Sequence, residues 1–271
     1  MGAPFKPKEI AEIGIIGGSG FYALENLTEI KLETPFGPPS DKVAIGTIFG
    51  RKVAFLPRHG QDHSIPPHRI NYRANLWALH SLGVKEIITA HAVGSLQKKI
   101  KPGDVVVLDQ FVDRTSGRQD TFFDGPVATH VSTAFAYCGR LRKQAIKTAR
   151  KLGLEVHPQG TVVVIQGPRF SSAAESLWFT KMGWGVVNMT QYPEVALARE
   201  LQICYSALAF PTDYDSGVVL TNKIRPVSAR EVSEVFGKNI DKAKSLVREM
   251  IKNWPREGGC ECQRSLEEAR L

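Results

Sequence analysis

The sequence predicts a mixed α/β domain built round a central sheet. Two observations carry this. Short β-rich runs alternate with helix-patterned segments along the whole chain, and 42% of the 271 residues are hydrophobic, enough for one substantial core. No apolar run approaches the roughly 20 residues that a membrane helix needs. Candidate strands fall at 12–16, 43–48, 52–56, 86–90, 105–108, 161–165 and 203–210. Between them, 70–82 and 140–152 place apolar residues at three- and four-residue spacing and stop at Gly83 and Gly153, the usual helix terminators. The segment 228–252 reads as a long closing helix, with Ser228 as N-cap and Glu231 completing a capping box. Residues 216–225 read as a loop and those after Trp254 as a loose tail. The expected organisation is one domain over 1–271 with a cysteine-containing tail at 255–271.

Charge and composition narrow the function classes. The 35 basic and 27 acidic residues leave +8, but the lysines and arginines are scattered, as along the solvated face Arg140, Arg142, Lys143, Lys147 and Arg150, and form no stripe for nucleic acid. Prolines and charges occupy the N-terminal stretch where a signal peptide needs an apolar run, so the expected location is cytoplasmic. The four cysteines, Cys138, Cys204, Cys260 and Cys262, admit three readings: free thiols, a Cys-x-Cys metal or redox pair lacking a second pair, or disulfides of an intracellular hyperthermophile protein. Seven asparagines lean towards a thermophile. For a hyperthermophile source the expected pairs are Cys138 with Cys204 and Cys260 with Cys262.

Five stretches carry chemistry. Residues 13–20, Ile-Gly-Ile-Ile-Gly-Gly-Ser-Gly, run a strand into a glycine-rich turn whose N–H groups and Ser19 can cradle phosphate. A structural turn and a dinucleotide fingerprint compete with that reading, the latter weakened because Pro35, Pro38 and Pro39 interrupt the expected crossover. Residues 56–63 follow a strand with Arg58, whose planar fork suits two phosphate oxygens, and His59, a further donor. Metal binding through His59, His63 and His68 competes, but Gly60, Pro66 and Pro67 argue for a loop and no Glu separates the histidine pair. Residues 166–172 with Glu175, and 187–194, are polar turns that read equally well as connections. Residues 210–215 place Asp213 and Asp215 two apart after an apolar strand. On extended backbone they share one face about 6 to 7 Å apart, a spacing suited to two edge nitrogens of a purine, with a solvated turn as the bland alternative.

These stretches, with 71–79, 93–96 and 123–125, occur in the order seen in the S-methyl-5'-thioadenosine phosphorylases, and from about Ile13 to about Val247 the chain resembles that trimeric branch of the purine nucleoside phosphorylases. The resemblance implies a central mixed, partly barrel-like sheet flanked by helices. It implies phosphate held by Ser19, Arg58, His59, the backbone around Ala92, and Thr190, with His91 beside them where several relatives have a small or hydroxyl residue. It implies ribose over Met189, adenine flanked by Phe170 and Ser171, and Asp213 and Asp215 at the N7 and N6 edge. His63 and a partner subunit's copy of His130 would enclose the 5'-methylthio group, so the active unit would be a homotrimer or homohexamer.

The chemistry follows from charge development. As the bond from ribose to purine lengthens, positive charge grows on the sugar and negative charge on the base, so a catalyst must stabilise both. Phosphate serves as nucleophile and counter-charge, and a protonated Asp213 donates to N7. Inorganic phosphate is a co-substrate, and no metal or organic cofactor is expected. The rival readings are a broad purine nucleoside phosphorylase acting on inosine and guanosine, a Rossmann oxidoreductase, and a nucleic-acid binder.

Overall fold

The computed structural model describes residues 8, 10–18, 28–220, 228–255, 260–267 and 269. Eleven strands form one mixed sheet: β1 (Ile13–Gly17), β2 (Thr28–Ile30), β3 (Val43–Ile48), β4 (Arg51–Pro57), β5 (Glu86–Ser95), β6 (Val105–Val107), β7 (Gln110–Arg114), β8 (Val156–His157), β9 (Thr161–Ile165), β10 (Val186–Asn188) and β11 (Cys204–Tyr214). The helices are α1 (Tyr72–Ser81), α2 (Gly139–Lys151), α3 (Ala173–Lys181), α4 (Gln191–Glu200), α5 (Ser216–Leu220) and α6 (Ala229–Lys252).

Alternation along the strands sorts the core onto two faces. Ile13, Ile15, Val53, Phe55 and Ile88 pack with Leu141, Leu246 and Met250 beneath α2 and α6. Ile16, Ala54, Leu56 and Ile87 pack with Leu76, Leu79 and Leu197 of α1 and α4 on the other face. Gly14 belongs to the second face, where a Cβ would stand 2.9 Å from both Ile87 and Val84, so the strand approaches its neighbours too closely for a side chain. The helix terminators behave as expected: Gly83 and Gly153 take φ of 87° and 68° and their N–H groups bond back to His80 and Arg150.

The long strand β5 is the branch point. One edge is parallel to β11 along its whole length. The other pairs with β1 from Glu86 to Thr89 and then, antiparallel, with β10 at Gly94 and Ser95. Residues 90–93 therefore have no strand on that edge, and the sheet opens there.

Two expectations change and one lies outside the described residues. Residues 216–220 form the short helix α5 rather than a loop, because the N–H groups of Val218 and Val219 close onto the Asp215 carbonyl. Residues 221–227 and the Glu231 side chain lie outside the described residues, although α6 does start directly after Ser228. The tail is docked rather than loose. Cys262 and Ala269 are buried, Gln202 Nε2 donates to Gln263 O at 2.5 Å, Ser265 Oγ to Arg199 O at 2.7 Å, and His130 N to Ala269 O at 2.7 Å.

All four cysteines are free thiols, gathered into one cluster with every sulfur within 4.8 Å of the others. Cys204 Sγ lies 3.0 Å from Cys260 Sγ. Folding thus supplies the second cysteine pair that linear spacing does not show, and the cluster is the one group of metal-ligating side chains of this kind among the described residues.

The Gly14 contact sets a test of the packing. Gly14→Ala forces a methyl group between two branched side chains, and overpacking of this kind destabilises by about 1–3 kcal/mol. Thermal melts should show a midpoint several degrees below wild type, and an unchanged midpoint would mean that β1 is less tightly packed against Val84 and Ile87 than described.

Candidate active site

The opening in the sheet is the floor of a cavity of about 510 Å³, within the range of small-molecule sites. Strand ends and the loops after them supply its walls. Gly18 follows β1, Arg58 and His59 follow β4, Ala90 to Gly94 come from the open edge of β5, and Met189 and Thr190 follow β10. Asp213 and Asp215 end β11, and Phe170 and Ser171 precede α3. His63 also lines the cavity. Of the described residues expected from the sequence, all but one are brought here: His130 is exposed and not among the lining residues, while Ser19 lies outside the described residues.

At one end sits a buried polar network. Arg58 Nε and Nη2 donate to Glu194 Oε2 and Oε1 at 2.8 and 2.9 Å, and Nη1 donates to Ala90 O at 3.2 Å. Tyr205 Oη donates to Glu194 Oε1 at 2.5 Å and receives Gln191 Nε2 at 3.0 Å. Burial opposes the charge on Arg58, but Glu194 outweighs it and holds the guanidinium protonated above its ordinary range. The flat fork of Arg58 is therefore engaged by Glu194 and is not the two-pronged phosphate clamp expected from its residue type. What it offers the cavity is a remaining N–H and a fixed position.

His59 also differs from its expected part. Its Nδ1 lies 2.9 Å from Ile65 O, and a carbonyl only accepts, so Nδ1 carries the proton. Burial first, then the Arg58 charge, lowers its pKa to about 4, so the ring is neutral near pH 7. Its other nitrogen is then an acceptor, and a hydrogen bond to phosphate would take the proton of a P–OH group. His63 stacks on it with ring centroids 4.4 Å apart, and burial lowers its pKa as well.

At the other end stand the two carboxylates. A register shift between Pro211 and Asp213 lets β11 continue beside β5, with Asp213 opposite Gly94. Thr212 Oγ1 donates to Asp213 Oδ1 at 2.7 Å, and Ser171 Oγ donates to Asp215 Oδ2 at 2.6 Å. Asp213 is raised to about 6, mainly by burial, with repulsion from Asp215 a lesser cause. Asp215 is also raised by burial, against the Ser171 hydrogen bond.

Three residues that sequence reasoning missed hold this arrangement. Glu194 and Tyr205 fix Arg58, as above. Arg118, in the loop after β7, donates to Gln166 O at 3.0 Å, to Met189 O at 2.9 Å and to Tyr192 O, so one guanidinium ties together the loops carrying Phe170, Met189 and Thr190. The Met189 loop also needs Gly167, with φ 63°, where a Cβ would stand 2.7 Å from Met189 Sδ. Glu175, read in the sequence as part of a polar motif, caps α3 with Ser172 in a reciprocal box.

Residues 12–252 match the family described as the Phosphorylase superfamily. The chain is 51% identical over 264 residues to an S-methyl-5'-thioadenosine phosphorylase of Thermofilum pendens, covering 96% of this chain and 99% of that one. It is 48% identical over 261 residues to a purine nucleoside phosphorylase of Streptomyces coelicolor, covering 93% and 92%. Among solved structures, a variant of the adenosine/methylthioadenosine phosphorylase of Schistosoma mansoni in complex with methylthioadenosine superposes with a TM-score of 0.89 at 35% identity, covering 96% of this chain and 98% of that one.

The raised pKa of Asp213 sets a stability test. Between 3.8 and about 6 the unfolded chain ionises this carboxyl while the fold keeps it protonated. Stability is therefore lost as pH rises through that window, by at most roughly 3 kcal/mol. Asp213→Asn removes the burial of charge. Its melting temperature should exceed that of wild type at pH 8 and converge with it near pH 4, and equal melting temperatures at pH 8 would mean that the carboxyl is not desolvated.

Proposed function

The chain belongs to the Phosphorylase superfamily, and on that premise we propose that it splits S-methyl-5'-thioadenosine with inorganic phosphate, giving adenine and 5-methylthioribose 1-phosphate. One observation carries the proposal: a single cavity joins the Arg58, His59 and Thr190 end to a pair of carboxylates, Asp215 buried and Asp213 half-buried, with Met189 among the residues of its wall. The first end suits an anion and the second the edge of a purine, so a nucleoside laid over Met189 would expose its sugar carbon to phosphate.

Each group then has a role. Phosphate lies between Thr190, the open edge of β5 around Ala92, and His59, with Arg58 and Ser19 contributing, and His91 lies alongside. Asp213, protonated, donates to N7 as the bond to the sugar breaks, so adenine leaves neutral. Asp215, ionised and held by Ser171, accepts from the N6 amino group, which a 6-oxo purine lacks. Phe170 packs on the base, and His63 stands by the 5' substituent. Neither a metal nor an organic cofactor enters these steps. The phosphorylase unit spans the whole chain. His130, exposed on a segment that the docked tail holds, would reach a neighbouring subunit's cavity in a homotrimer or homohexamer. No described helix is long and apolar enough to cross a membrane, and we place the reaction in the cytoplasm.

Substrate ratios test the reading. Phosphate-dependent release of base from S-methyl-5'-thioadenosine should exceed that from inosine by about a hundredfold or more in kcat/KM. It should fall as pH rises through about 6, where free Asp213 loses its proton. Asp215→Asn should lower the first activity and raise the second. If wild type cleaves inosine equally well and the variant leaves the ratio unmoved, the broad purine nucleoside phosphorylase is the correct reading.

We also infer that, if the source is a hyperthermophile, the clustered thiols oxidise in the mature protein, each pair passing two electrons and two protons to a cellular disulfide by thiol–disulfide exchange, with Cys138 joined to Cys204 and Cys260 to Cys262. Thiol titration of denatured, unreduced protein should find fewer than two free groups. Peptide mapping would replace this pairing if Cys204 is found joined to Cys260, whose sulfur lies 3.0 Å away.

A further inference from the structure

His91 is completely enclosed in the phosphate end of the cavity, and its ring is held by a partner at each nitrogen. Nδ1 lies 3.1 Å from Thr190 Oγ1. Nε2 lies 2.8 Å from Thr89 Oγ1 and 3.3 Å from Arg58 Nη2. The charged and titratable groups facing the ring are Arg58, the neutral His59 and Glu194, the last with Oε1 at 3.9 Å from Nε2, beyond hydrogen-bond range and already bonded to Arg58 and Tyr205.

The neighbours select one tautomer. Arg58 Nη2 is a permanent cationic donor, so the nitrogen it faces must present a lone pair, and the single proton of Thr89 Oγ1 goes to that nitrogen at 2.8 Å rather than to the more distant Tyr205 Oη at 3.1 Å. The ring proton then lies on Nδ1 and points at Thr190 Oγ1. Burial, with the Arg58 charge, pushes the ring's pKa well down, so this neutral form persists across the ordinary pH range. Thr190 occupies the N-cap position of α4, yet its side chain makes no capping hydrogen bond. A hydroxyl has one proton. Were Nδ1 an acceptor, Thr190 would spend that proton on the ring and turn lone pairs towards an anion. With Nδ1 as donor, the Thr190 oxygen is occupied and its proton is available to the cavity.

We propose that His91 is a positioning residue of the phosphate site, donating from Nδ1 to Thr190 so that the Thr190 hydroxyl donates to phosphate. This rests on the assignment of phosphate to this end of the cavity. It gives the imidazole, an unusual side chain on an open strand edge, a role that bulk alone would not fill.

The test uses the full-length enzyme with saturating S-methyl-5'-thioadenosine and varied phosphate. Asparagine carries an amide nitrogen near the place of Nδ1, whereas glutamine carries one near Nε2. His91→Asn should keep the phosphate KM within about threefold, while His91→Gln and His91→Leu raise it about tenfold, the scale of one lost hydrogen bond, with the nucleoside KM unchanged. Adding His91→Leu to Thr190→Val should raise the phosphate KM no further than Thr190→Val alone, because the two residues act through one hydroxyl. If the leucine variant does not fold, the asparagine and glutamine pair decides. Equal phosphate KM values for those two variants would overturn the proposal, as would additive effects in the double variant. Failure of wild type to require phosphate at all would instead overturn the assignment of the reaction.

Discussion

The buried pair of Arg58 and Glu194 is the constraint on which the rest of the site depends. Both side chains are almost fully enclosed, at 3% and 0% exposure, and an isolated charge there would be untenable. The pair survives because most of its bond directions are answered: two parallel bonds between them, Ala90 O on the Arg58 side, and Tyr205, itself held by Gln191, on the Glu194 side, with one Arg58 N–H left to the cavity. Those partners come from β4, α4, β5 and β11, so satisfying two charges fixes four elements relative to one another. The same arrangement sets the protonation of both neighbouring histidines. Burial first, and then the Arg58 charge, keeps His59 and His91 neutral, and each ring then presents one donor and one acceptor in a known direction.

The sheet's branch at β5 explains why the cavity lies where it does. A strand paired on both edges offers no free backbone donor, and a true sheet edge would invite association with another chain. Here β1 and β10 take turns along one edge and leave residues 90–93 between them, an opening enclosed by protein. Side chains from both flanking strands meet over it, which places the anion-binding end and the carboxylate pair on one floor. Asn188 adds a buried amide nitrogen with no hydrogen-bond partner among the described residues, in the same wall.

Much of this was legible in the sequence, and the failures have physical causes. The seven strands read from apolar runs all exist, because a buried strand needs little else to be recognised. Two were cut short: β5 continues past Ala90 through His91, Gly94 and Ser95, and β11 through Pro211 to Tyr214, since polar and proline residues at the cavity mimic a loop. Helices α3 and α4 were given no bounds, and only the polar stretches leading into them, 166–172 with Glu175 and 187–194, were read, as connections. In α4, Gln191, Glu194, Val195, Leu197, Ala198 and Arg199 are all buried, so no polar face alternates with an apolar one. Asp213, Asp215, Arg58 and His59 were found by type and spacing. What residue type could not convey was direction: the fork of Arg58 turns to Glu194, and the proton of His59 to Ile65. The four-cysteine cluster and the docked tail were invisible for a related reason, as they depend on which distant strand end the last residues meet.

The pairing of β5 with β11 has a consequence for synthesis. Glu86 is matched to Cys204 and Ser95 to Tyr214, so the central strand waits for its partner until most of the chain has left the ribosome. Contacts so far apart in sequence form slowly, and until then β5 presents a long apolar edge. Of the early strands, β1 can pair with β5, and β4 and β3 add beyond it, so that the opposite edge of its first half is shielded. The second half, with the Arg58 and Glu194 pair, closes only when α4 and β11 arrive. Catalytic competence is thus a late event in the life of each nascent chain, and a ribosome that stalls before residue 214 would release a protein with a partial sheet and no reaction centre.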